Sequence, residues 1–293
     1  MIDPLFESWR RRAQPTPIEE FAEFYLSHSS SLVDTGPLAV TREWTGVRNA
    51  ALMRRGLDVA RSQAALPLHL DTLAALEAET WGAFLMSFLF VELQGRLDRG
   101  GIDGQQRALL QLVAPLTQLT TGKQAVNLLN ELIEGAGSTG AVGCSDLPEL
   151  LRNAQQRQVG EPASDALAIE ALSCPDLHAA LAALMGRASS CLRSIREPRL
   201  VAAGRQAVGA LERAALWLES GKEPDVLEAG ARRLALTLAR GLQLALLCEH
   251  AQWMLDHGGD RRGFAAALRY SRLPVDLIHE VDPELDRLLL TRG

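Results

Sequence analysis

The sequence predicts an all-α protein of long antiparallel helices, arranged in roughly two packed layers or bundles. Three observations carry this. Leu, Ala and Arg dominate the 293 residues, and all three lose little rotamer freedom in a helix. Val and Ile are sparse and scattered, which argues against a large sheet. Apolar residues recur at three- and four-residue spacing over segments much longer than a strand.

The elements follow in order. A short helix over Asp3–Arg12 is stopped by Pro15 and Pro17, and a second over Ile18–Leu26 lines up Ile18, Phe21, Ala22 and Tyr25. S-H-S-S-S and D-T-G-P then mark a loop. A long helix runs from Thr41 to about Ala65, with Trp44, Val47, Ala51, Leu52, Leu57 and Ala60 in a broad apolar stripe. Pro67 ends it or starts the next helix, Leu68–Leu97, in which Trp81, Phe84, Leu85, Phe88 and Leu89 should make the heaviest core contribution. Gly100, Gly101 and Gly104 break the chain before a third long helix, Gln105–Ala136, with a kink expected at Pro115.

Gly135, Gly137, Gly140 and Gly143 form a turn. Leu147-Pro148 opens a short helix ending near Ala154-Gln155, N-capped by Ser145 or Asp146, and a loop carries Glu161. Further helices are expected at Ala163–Leu172, Asp176–Ile195, Arg199–Leu218, Pro224–His257, Asp260–Tyr270 and Pro283–Leu290. The implied organisation is a lead-in over 1–40, a helical bundle over 41–172, an additional helical region over 173–275 and a tail over 276–293.

Charge and composition narrow the function. The net charge is −6, a poor starting point for binding nucleic acid. Arg-rich spots at Arg10–Arg12, Arg232-Arg233 and Arg261-Arg262 are interleaved with acids, as on solvated helix faces. Cys144, Cys174, Cys191 and Cys248 are far apart with no C-x-x-C pair, which suits a reduced, cytoplasmic protein without a structural metal. The amino terminus lacks the apolar stretch of a signal peptide. The apolar run from Gly82 to Val91 is about half the roughly 20 residues that span a bilayer, so it reads as a buried core helix. His250 and His257 lie two helical turns apart on one face and do not form a metal-ligand set.

The stretch from Lys123 to Glu170 resembles the flavin-contacting, base-bearing segment of acyl-CoA dehydrogenases. It shows K-Q-A-V-N-L-L-N-E-L-I-E-G-A-G-S-T-G, then L-P-E-L-L-R-N-A-Q-Q-R-Q-V-G-E-P-A, where the family shows Q-A-V…E…GGxGY…LP-R-L-x-R-D-A-Q…W-E-G-T-x-N. Residues 42–60 and 67–76 resemble the first two helices of the family's C-terminal domain. Residues 233–273 resemble the extra helical region of its AidB-like, DNA-alkylation-response branch. The resemblance covers about residues 42–275 and implies a four-helix bundle plus an additional helical region.

It also implies chemistry. Family members abstract a proton α to a thioester carbonyl with a desolvated carboxylate while hydride passes to FAD. Glu161 aligns with that base, but Gly160, Pro162 and Ala163 replace its Trp, Gly and Thr neighbours. Arg61, Glu134, Gly137 and Gly140 align with cofactor-binding positions, yet the family's R-x-x-F-G-x-P loop is here R-S-Q-A-A-L-P and its Gly-rich turn lacks one Gly and the Tyr. Only about 40 residues precede the match, fewer than the family's preceding helical and β-domains need. The implied protein is a degenerate, non-catalytic module acting as a homo-oligomer or as partner to a full-length flavin-bearing subunit. One alternative is half of a heteromeric FAD-dependent dehydrogenase with Glu161 as base; a second is a DNA-binding helical module.

Overall fold

The structure is a computed structural model that describes residues 37–61, 67–141, 146–160, 163–221, 223–280 and 283–291. Among these the chain forms ten helices and no strand: α1 Pro37–Arg61, α2 Pro67–Asp98, α3 Gly104–Ala141, α4 Leu147–Gly160, α5 Ser164–Leu172, α6 Leu177–Ser194, α7 Pro198–Glu219, α8 Pro224–Gly258, α9 Arg262–Tyr270 and α10 Pro283–Leu290. The all-α expectation holds. The two short helices expected before residue 30 lie outside the described residues, as do Ser145 and Glu161.

Helix ends follow local chemistry. Pro opens α1, α2, α7, α8 and α10, where its missing N–H costs nothing. Asp176 caps α6 by accepting from the Ala179 N–H at 3.2 Å, and Gly259, with φ 65°, closes α8 in the left-handed region. Two expected boundaries move. α4 runs on to Gly160 rather than ending near Ala154-Gln155, because no helix breaker precedes Gly160. α3 continues through Pro115 and Gly135, and its one non-helical backbone position is Gly137, with φ 58° and ψ −139°. Pro115 leaves the Gln111 carbonyl without its helical donor, but Gln111 is exposed and water can serve it.

Helices α1 and α3 run parallel, with residue i of α1 opposite residue i+72 of α3: the Asn49 side-chain amide donates to Thr121 Oγ1 at 3.1 Å. A Cβ on Gly56 would meet Leu129, so the two backbones approach closely there. α2 runs antiparallel between them; Gly46 of α1 lies against Ser87, and Arg54 pairs with Glu77. α4 folds back along α3, placing Gln158 against Gly122. A core of Met53, Leu57, Leu76, Leu128, Leu129 and Leu147 joins these four helices.

A larger core gathers α2, α3 and α5 to α9 around α8. The middle of α8, from Leu234 to Gln252, is buried on nearly every side, as expected of a helix apolar around its circumference. α7 packs antiparallel against it, with Gly230 under the Trp217 indole and Gly241 under Leu211. A buried polar layer ties α8 and α9 to α2 and α3. Gln124 and Gln243 exchange amide hydrogen bonds at 3.0 and 3.1 Å, and the Tyr270 hydroxyl donates to Gln243 Oε1 at 2.5 Å. Beside it Glu79 faces Arg240 at 3.6 Å; burial raises the Glu79 pKa, and Arg240 offsets this in part.

Two core expectations fail in part: Trp44, 52% exposed, and Ala51, also exposed, fall outside the buried side of α1, and on α2 two of the expected aromatics turn outward. Leu89 is buried, but Phe84 is 51% and Phe88 50% exposed. Helix α2 is apolar on more than one face, so spacing alone does not say which stripe turns inward. The side buried is Ala78, Gly82, Met86, Leu89, Phe90 and Leu93, where small residues let α3, α8 and α9 come close.

Candidate functional site

Four of the residues singled out from the sequence, Arg61, Glu134, Gly137 and Gly140, lie among the described residues. Arg61 ends α1, and the parallel register places it level with Ile133 of α3. Glu134 and Gly137 therefore lie at the same end of the bundle, with the N-terminal turns of α2. Gly140 belongs to the last turn of α3. Glu161 lies outside the described residues.

The Arg61 guanidinium is engaged on both arms. It donates to Asp58 Oδ1 at 2.9 Å and to Glu77 Oε2 at 2.8 Å. Glu77 Oε1 also accepts from Arg54 Nη1 and from the Trp81 indole N–H, both at 2.8 Å. Burial pushes the Glu77 carboxyl up, but these donors and the two guanidinium charges outweigh it and hold its pKa below the ordinary value. The cluster clamps the end of α1 onto α2.

Glu134 is exposed and accepts from the Asn130 amide at 2.6 Å. Gly137 has open space where a Cβ would stand, and its backbone angles suit glycine alone. That turn could admit a phosphate to its backbone. The arginine aligned with the family's flavin-contacting position is paired with two carboxylates, Asp58 and Glu77. Among the described residues no cluster of His, Cys, Asp and Glu could hold a metal.

Of the Arg-rich spots, Arg10–Arg12 lie outside the described residues, and one arginine of each of the other two pairs with an acid. Arg232 pairs with Asp165, and Arg262 with Asp260 at 2.7 Å. Burial raises the thiol pKa of Cys174, Cys191 and Cys248 to about 12, so none is a ready nucleophile.

What the sequence reading missed is an aromatic surface across α2 and α8. Phe84 and Phe88 pack ring to ring at 4.4 Å. Trp81, one turn earlier, meets His250 of α8 at 5.8 Å. Trp253 is sandwiched between His250 at 5.7 Å and His257 at 5.0 Å, both stacked. The signal in the sequence is the three- and four-residue spacing of His250, Trp253 and His257, which puts all three rings on one face of α8.

The fold defines a class: an all-α protein with the architecture of the acyl-CoA dehydrogenase C-terminal helical domain. Residues 179–283 match the family described as "Acyl-CoA dehydrogenase 11 C-terminal domain-like". A curated relative, "Acyl-CoA dehydrogenase family member 11" of Caenorhabditis elegans, is 30% identical over an alignment of 233 residues that covers 73% of this chain and 38% of the relative. The structure "Crystal Structure of Caenorhabditis elegans ACDH-11 in complex with C11-CoA" superposes with a TM-score of 0.76 at 26% identity, covering 86% of this chain and 46% of that one. A second structure, "Bd2924 apo-form", shares the fold with a TM-score of 0.60 at 23% identity over 72% of this chain and 41% of its own. The chain is an acyl-CoA-dehydrogenase-like helical protein, similar to the C-terminal part of acyl-CoA dehydrogenase 11 and spanning less than half the length of these relatives.

Proposed function

We propose that this chain works by association, as an assembly or partner subunit, and carries out no flavin chemistry by itself. The exposed aromatic surface of α2 and α8 carries the reading: two half-exposed phenylalanines and a half-exposed tryptophan stand on helices whose other sides form the core. Apolar patches of this kind on a stable scaffold mark interaction sites. The engagement of Arg61 by Asp58 and Glu77 supports the second half of the reading. The placement beside the DNA-alkylation-response branch rests on residues 233–273 and adds no nucleic-acid role, since Arg232 and Arg262 are ion-paired.

The test is the absorbance of the purified chain at about 450 nm, where bound flavin absorbs, together with an acyl-CoA oxidation assay after addition of FAD. A colourless, inactive protein that associates with itself or with a full-length dehydrogenase-like subunit agrees with the proposal. A yellow chain that oxidises an acyl-CoA, and loses this on Glu161→Gln, refutes it in favour of the heteromeric or complete enzyme.

A further inference from the structure

We infer that the outer seam of α1 and α2 is covered by a segment of this chain itself, residues 18–26, which lie outside the described residues. This occupant comes from within the chain, beyond the association reading above, and a partner that uses the whole aromatic surface must displace it.

The seam is built from two helices. Phe84, Phe88 and Val91 follow one another at three- and four-residue spacing along the outside of α2, and all three are exposed. α1 runs antiparallel beside them, with Gly46 against Ser87 and Arg54 paired with Glu77. Trp44, half-exposed on α1, is therefore level with about Phe88. The inner sides are fixed in the cores, through Ala50, Met53 and Leu57 of α1 and Met86 and Phe90 of α2. A segment that docks here finds the seat already ordered.

The chain enters at this seam. By the same register Pro37, the first residue of α1, is level with about Gly95, about 10 Å along α2 beyond Phe88. The residues before Pro37 are thus delivered beside Val91 and Phe88. Ten residues, 27–36, separate Leu26 from Pro37. A linker of that length spans roughly 17 Å on average and about 33 Å when fully stretched. The path needed is about 10 Å along α2 and about 8–10 Å outward to the axis of a packed helix, well within that range.

The sequence of the segment fits the seat. In T-P-I-E, Thr16 stands at an N-cap position, Pro17 at the first helical position and Glu19 three residues after the cap, the pattern of a capping box. Ile18, Phe21, Ala22 and Tyr25 then share one face, and Glu19, Glu20 and Glu23 fall on the other. Ile18 and Tyr25 are about 10 Å apart by helical rise, as are Trp81 and Phe88 of α2. Because the linker leaves from Leu26, the Tyr25 end lies toward Phe88 and the Ile18 end toward Trp81.

Area selects a tethered occupant. An aromatic side chain presents about 150–250 Å², so the half-exposed Trp44, Phe84 and Phe88 offer roughly 300 Å². A matching face brings the total to roughly 600 Å², well short of the roughly 1,200 Å² at which stable contacts between separate molecules begin. A segment on a short linker needs less, because its effective concentration at the seat is about millimolar. The cover leaves Trp253 and His257 of α8 open.

Hydrogen–deuterium exchange of the whole chain, read by mass spectrometry at about 1 and 50 μM, tests this. Amides of residues 18–26 are expected to exchange at least about tenfold more slowly than those of an unstructured chain, equally at both concentrations. Phe88→Glu in the seat and Phe21→Glu in the segment should each abolish that protection, with the protection of α3 and α8 retained. Leu216→Glu, at an exposed position of α7, should leave residues 18–26 protected. Free exchange of residues 18–26 in the wild type overturns the inference. So does protection that Phe88→Glu leaves in place, or protection seen only at the higher concentration, which puts another copy's segment in the seat. None of these results touches the association reading, which fails only if the chain proves to be a flavin-loaded, active dehydrogenase.

Discussion

The buried layer of Gln124, Gln243 and Tyr270 makes the sharpest stability prediction. Gln243 is fully buried and stands at the centre: its amide donates to Gln124 Oε1, and its carbonyl accepts from both Gln124 Nε2 and the Tyr270 hydroxyl. Tyr270→Phe removes one donor, but Gln243 Oε1 keeps its bond from Gln124. The cost should be that of a single neutral hydrogen bond, about 1 kcal/mol. Gln243→Leu removes the hub and strands the Tyr270 hydroxyl together with the carbonyl and one amide hydrogen of Gln124. At about 1–3 kcal/mol for each stranded group, and with some relaxation, the cost should be roughly 3–6 kcal/mol. The triple variant Gln124→Leu, Gln243→Leu, Tyr270→Phe leaves no orphan and should return to within about 2 kcal/mol of wild type. Urea unfolding followed by helical ellipticity measures all three, provided the slopes agree. If Gln243→Leu costs no more than Tyr270→Phe, or if the triple variant equals the sum of its parts, the hub reading is wrong.

Three further outcomes follow from the packing. Glu77→Gln should cost about 1 kcal/mol at neutral pH, a figure kept small by partial exposure. The carboxyl is held below its ordinary value, so its contribution is complete above about pH 4.5 and is lost as pH falls through the lowered value; thermal midpoints of wild type and variant should converge in acid. Burial lowers the His250 pKa and Glu249 opposes this only in part, so the unfolded chain binds that proton more tightly. Stability linked to His250 is then complete above about pH 6.5 and declines as pH falls through the lowered value, and His250→Gln should flatten that part of the midpoint-against-pH curve. Gly230→Ala would place a Cβ 2.5 Å from Trp217 Cζ2 and closer still to Cη2, displacing the indole. A cost of about 1–3 kcal/mol and an altered near-ultraviolet dichroism spectrum are expected.

Much of the architecture was legible in the chain. Pro67, Pro198, Pro224 and Pro283 open helices close to where the pattern put their starts, because a proline at the first helical position is a local constraint that tertiary contacts do not alter. Long-range pairing was less legible. Arg61 read as a cofactor arginine by its place after the first long helix; that Glu77 closes on it depends on α2 returning antiparallel beside α1. Gly137 was visible as one of four turn glycines, but that it alone breaks α3 depends on how far helical packing carries past Gly135. Glu161 lies outside the described residues, so its role still rests on its sequence neighbours.

The sequence by itself determined the helical class, the helix order and most boundaries, since propensity, spacing and proline act over a few residues. It also carried the likeness to the acyl-CoA dehydrogenase C-terminal domain. Only the tertiary structure decided which apolar stripe of α2 faces inward. Trp81, Phe84 and Phe88 share a helix face as regular as that of Gly82, Met86 and Phe90, and a periodicity is blind to where the neighbouring helix lies. Packing chose the side with the small residues, because close approach of α8 and α9 requires them, and so left the aromatic side outside.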